Sequence, residues 1–182
     1  MAPLNMKGST MSNWRKTELQ PSMQDNNRVL NFYTDGAYSS ATHAGGWSSL
    51  CIEDNLLIDL RKGGELETTN NRMELKGFLT ALQAVSEVAT NHAIINIYTD
   101  SAYIANAINE KWLLKWMSNG WTTADKRCVK NKDLWRQILA LYIRNKNRFV
   151  EFNVKKVQAH ASDPWNNAAD LYARKARLER KK

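Results

Sequence analysis

The sequence predicts an α/β fold: a mixed five-stranded sheet, three antiparallel strands and then βαβ units, flanked by helices. Three observations point there. Alternating apolar segments separated by short turns come first. Segments of helical apolar spacing then alternate with short apolar strands. And 43% of the 182 residues are hydrophobic, enough to build one sizeable core.

The elements follow in order. Leu30 to Asp35 alternates and reads as a strand. Gly45-Gly46 breaks the chain before a second strand, Trp47 to Ile52. Asp54-Asn55 makes a turn into a third, Leu56 to Leu60. Leu75, Phe78, Leu79, Leu82 and Val85 carry helical spacing through Thr69 to Ala89. Ala93 to Thr99 is a short apolar strand, and Ser101 to Ile108 a short helix. Leu134, Ile138, Leu141 and Tyr142 mark another helix, and Phe149 to Val157 the last strand. Asp163-Pro164 then opens a final helix, with Asp as N-cap and Pro at the first helical position. Residues 1–28 are rich in Asn, Ser, Lys and Met without apolar periodicity, and read as a flexible N-terminal extension. Residues 29–182 form the domain.

Composition narrows the partners. Lys+Arg is 26 against Asp+Glu 18, a net charge of +8 that favours polyanions. Two cysteines, Cys51 and Cys128, lack metal-type spacing and read as free thiols in a reducing, cytoplasmic setting. No apolar run approaches the roughly 20 residues of a membrane span, and no signal peptide is visible.

Against this basic background four acids stand out: Asp35 in Tyr33-Thr34-Asp35-Gly36, Glu74 in Thr68-Thr69-Asn70-Asn71-Arg72-Met73-Glu74-Leu75, Asp100 in Tyr98-Thr99-Asp100-Ser101, and Asp170 in Asn166-Asn167-Ala168-Ala169-Asp170. Two close strands and two lie on helices, and α/β sheets place ligand sites at the carboxyl ends of strands. Any one alone reads equally well as a surface or capping acid. Gathered together they would repel one another unless cations hold them, and Mg2+ suits hard oxygen ligands and phosphate chemistry. An acidic site in a basic protein suggests a metal-dependent enzyme acting on nucleic acid.

From about Leu30 to Arg177 the chain resembles type 1 ribonuclease H of the bacterial kind. The resemblance rests on the four runs above, on Thr99-Asp100-Ser101-Ala102-Tyr103, on Ala159-His160-Ala161, and on a handle-like segment, Gly120 to Lys126 followed by Val129 to Trp135. It implies a ribonuclease H-like fold and an endonuclease that hydrolyses the RNA strand of RNA–DNA hybrids, leaving 3′-hydroxyl and 5′-phosphate ends. It also implies two Mg2+ ions, with Mn2+ able to substitute. Asp35 would bridge both ions, Asp170 would help hold the ion that activates water, and Glu74 and Asp100 the other. His160, in a loop of small and polar residues, would move protons near neutral pH; its plain alternative is a surface histidine. His43 and His92 have weaker claims.

Substrate contacts are expected from Gly36, Thr69, Asn70 and Asn71, since the 2′-hydroxyl marks RNA and Thr69 resembles the family's contact to a DNA phosphate. The plain alternative for the asparagines is helix capping, and the two roles are compatible. In Lys111 to Lys132 aromatics interleave with basic residues, which suits a nucleic-acid groove. We expect Trp112 and Trp135 in the core, and Trp116, Lys126, Arg127 and Lys130 facing the groove. Two stretches depart from the family pattern. Ala37 to Gly46 lacks a substrate-contacting Asn, and Met117-Ser118-Asn119 lacks a basic cluster. The alternatives are a catalytically silent hybrid-binding module and a ribonuclease domain of a reverse transcriptase. The opening Met and the absence of polymerase remnants lead us to expect a stand-alone, monomeric enzyme.

Overall fold

The hairpins set the frame. In the computed structural model, which describes residues 28–158 and 163–180, β1 (Val29–Tyr38), β2 (Gly45–Glu53) and β3 (Leu56–Glu65) run antiparallel. Asp54 and Asn55 both take left-handed φ angles, 49° and 61°. That is the two-residue turn whose twist matches a hairpin. β4 (Ile94–Thr99) then pairs parallel to β1, and β5 (Glu151–Lys156) parallel to β4, giving the order β3-β2-β1-β4-β5. This is the mixed five-stranded sheet the sequence predicts. β1 and β3 run longer than expected, to Tyr38 and Glu65. The ladder continues through Gly63 and Gly64, which periodicity does not register as strand.

Helices cover both faces. α1 (Asn70–Val88), α2 (Ala102–Asn109), α3 (Trp112–Ser118) and α4 (Lys132–Lys146) bury Leu30, Phe32, Ile95, Ile97 and Val154 on one face. The buried amide of Asn145 ties α4 to α1 by donating to the Leu82 carbonyl and accepting from Ser86. α5 (Pro164–Glu179) covers Tyr33, Leu50 and Ile52 on the other. Its start is the expected one: Asp163 caps it, accepting from Trp165 N at 2.9 Å, with Pro164 in the first turn. Thr69 and Ser101 likewise cap α1 and α2. α5 lies flush on β2 because Gly46 has no side chain. A Cβ there would stand 2.9 Å from the Ala176 carbonyl carbon and closer still to the Ala173 oxygen. Among the described residues no helix is long and apolar enough to cross a membrane, and both cysteines are free, Cys51 buried and Cys128 exposed.

Candidate active site

The parallel register of β1 and β4 begins the site. Thr34 pairs with Thr99, so the next residues, Asp35 within β1 and Asp100 just past the end of β4, lie side by side. Asp170 is brought in through β2. Asp35 pairs with Ser48, and the buried Ser48 hydroxyl donates to the Ala169 carbonyl at 2.7 Å, one residue before Asp170. Glu74 comes from the first turns of α1, whose backbone rests on Gly36.

The four carboxylates line one open cleft of about 330 Å³, together with Gly36, Asn70 and residues not expected there from sequence, among them Tyr38, Arg174 and Arg177. The signal for the two arginines was present, since they follow Asp170 at helical spacings of four and seven. Asn70 donates to Glu74 at 2.6 Å, and Arg174 Nε donates to Asp170 at 2.7 Å.

Burial first, and then repulsion from Asp100, Asp170 and Glu74, lift the Asp35 carboxyl to about 7 against the opposing Gly36 N–H at 2.6 Å. Burial also raises Glu74, against a hydrogen bond from Ser101. Among the described residues no three such side chains form a ready-made metal-holding array. Asp170 is drawn to Arg174 and Glu74 to Asn70. An all-oxygen set with a half-neutralised buried aspartate nonetheless fits a hard divalent cation.

The other expected contacts extend from the cleft. Thr69, Asn71 and Lys130 share a neighbouring hollow with Asn70 and Tyr38. Asn71 and Lys130 also border a further hollow with Trp116 and Arg127. Lys126 is exposed outside both. One expectation is corrected. Trp116 is only 8% exposed, tilted against Trp112 and edge-on to Trp135, with Tyr103 beside it, so it is chiefly core and only its edge reaches the hollow. Apolar burial of four packed rings outweighs groove exposure. Trp112, expected in the core, packs against it while half-buried. Arg127 is paired with Asp125. His43 contacts the Tyr38 hydroxyl at 3.2 Å. His160 lies outside the described residues, as does nearly all of the expected extension.

Comparison with known proteins decides the family. The RNase H family profile matches residues 14–177. The chain belongs to the ribonuclease H family. The ribonuclease H of Chlorobium phaeovibrioides is 43% identical over 149 residues, covering 82% of this chain and 95% of that protein. That of Caldicellulosiruptor saccharolyticus is 45% identical over 143 residues, covering 78% and 91%. In structure the chain is similar to LC9-RNase H1, a type 1 RNase H with the type 2 active-site motif, with a TM-score of 0.65 at 22% identity over 84% of this chain and 74% of that one. That likeness concerns the fold. Family membership makes this chain an endoribonuclease acting on the RNA strand of RNA–DNA hybrids, in a family that works with divalent metal ions.

Proposed function

We propose that this ribonuclease H hydrolyses the RNA strand by a two-metal-ion mechanism, leaving 3′-hydroxyl and 5′-phosphate ends, with residues 29–182 as the catalytic domain of a monomeric cytoplasmic enzyme. One observation carries the reading: Asp35, Glu74, Asp100 and Asp170, from four separate elements, line a single cleft with Gly36 and Asn70. These carboxylates would hold the ions, Mg2+ first and Mn2+ in its place. Bound there, the ions would supply Lewis-acid activation of water and charge neutralisation at the phosphate.

The chain's own residues do the rest. Asp35, next to Asp100 and accepting from the Gly36 N–H, presents its carboxylate to the cleft. Asn70 holds Glu74 at one wall, where amide and carboxylate also suit a ribose 2′-hydroxyl. Arg174 orients Asp170 at the other. Thr69 and Asn71 present polar groups to the backbone at the adjoining hollow. Lys126, Arg127 and Lys130 attract the duplex electrostatically. His160 delivers and removes protons as the leaving oxygen departs.

The test is a panel of labelled substrates: RNA–DNA hybrid, single-stranded RNA, double-stranded RNA and DNA duplex, each with Mg2+ and with chelator. Cutting confined to the RNA of the hybrid and abolished by chelator is the expected result. Comparable cutting of DNA duplex, or cutting in excess chelator, defeats the proposal.

A further inference from the structure

One cation in the cleft is not accounted for by the acids. Arg174 is committed to Asp170, but Arg177, one turn further along α5, shows no carboxylate partner within ion-pair distance among the described residues. Its Nη1 donates to the Tyr38 backbone carbonyl at 3.0 Å. Its Nε is buried without any hydrogen-bond partner. A buried unpaired donor on a charged group is costly, and such groups in native proteins call for a physical reason. The Tyr38 bond fixes the planar guanidinium in one orientation at the cleft wall. With Nε enclosed and Nη1 on Tyr38, the remaining Nη2 is the donor left to face a phosphodiester oxygen in the cleft.

We infer that Arg177 is a phosphate-contacting residue that grips the backbone of the strand being cut, away from the scissile bond. Position sets which phosphate. Seven residues of helix separate Arg177 from Asp170, about 10 Å along the axis. At about 3.4 Å of duplex axis per nucleotide on one strand, a separation of that size keeps the contacted phosphate within about three nucleotides of the cut. Arg177 thus acts from α5, in the same cleft as Asp170. The inference rests on the proposed site, and wild-type cleavage of the hybrid is read alongside as the separate check on that reading.

The experiment combines Arg177→Ala and Arg177→Lys with hybrids whose cut strand carries one neutral methylphosphonate at successive positions from the cleavage site. With the normal hybrid, Arg177→Ala should raise KM about tenfold, the scale of one charge-assisted hydrogen bond, and change the maximal rate less than threefold. Arg177→Lys should recover part of the loss. The salt dependence of log affinity should flatten by about one unit in Arg177→Ala. With the methylphosphonate at one position within about three nucleotides of the cut, wild type and Arg177→Ala should become equal, because the partner charge is gone. If the tenfold difference persists at every methylphosphonate position, or the salt slope is unchanged while thermal stability falls, Arg177 merely anchors the strand end at Tyr38 and the inference is wrong. Wild-type failure to cut the hybrid would instead overturn the functional reading.

Discussion

Gly36 rests directly on the backbone at Glu74: a Cβ built on Gly36 would stand 2.6 Å from the Met73 carbonyl carbon and closer still to the Glu74 nitrogen. The residue after one cleft aspartate is therefore the surface on which the helix bearing Glu74 is seated. Gly36→Ala must push α1 away from β1. Overpacking of this kind costs about 1–3 kcal/mol, and displacement of Glu74 should cut turnover more than tenfold. Thermal melting and hybrid cleavage measure both. Unaltered turnover would show that the cleft tolerates α1 at a distance.

The raised Asp35 carboxyl gives a pH-dependent stability with a defined sign. In the folded metal-free protein this group keeps its proton up to about 7, whereas in the unfolded chain it loses it near the ordinary 3.8. Its contribution is fully present below the unfolded value and is lost as pH rises through about 7. At about 1.36 kcal/mol per pH unit the full loss is about 4 kcal/mol. In chelator, Asp35→Asn should therefore melt close to wild type near pH 4 and increasingly above it toward pH 8. A melting difference that does not change with pH would contradict this.

Lys126, Arg127 and Lys130 are all exposed, but Arg127 is tied to Asp125. Replacing all three by Ala should weaken hybrid binding and flatten the salt dependence by about two units, one for each uncommitted lysine. Maximal rate should hold within a few-fold. Michaelis constants across a salt series are the readout. A collapsed rate with an unchanged slope would make the segment a support for the site rather than a grip on substrate.

His160→Ala should slow cleavage about 10²-fold, within the usual range for one acid–base group, and leave metal affinity nearly unchanged. Isothermal titration with Mg2+ beside single-turnover cleavage separates the two. A loss of metal binding would make His160 a ligand.

Much of this was legible because it is local. The Asp54-Asn55 turn, the Asp163-Pro164 cap and the apolar spacing of α1 each follow from a few adjacent residues. The four acids were legible because their flanking runs carry the family pattern, and strand ends already favour ligand sites. What failed was non-local. Whether Trp112 or Trp116 faces inward depends on Tyr103 and Trp135 arriving from α2 and α4, which spacing within the segment does not encode. Arg174 and Arg177 reach the cleft only because Gly46 lets α5 lie flush on β2.

The most direct test of the central claim, that four carboxylates act as one ion-holding unit around Asp35, is single-turnover cleavage of a labelled hybrid by Asp35→Asn across a Mg2+ titration. The substitution keeps shape and removes one negative charge from the middle of the cleft. The account predicts no cleavage at any Mg2+ concentration in a protein that is folded and at least as stable as wild type in chelator. Near-normal cleavage by Asp35→Asn would contradict it.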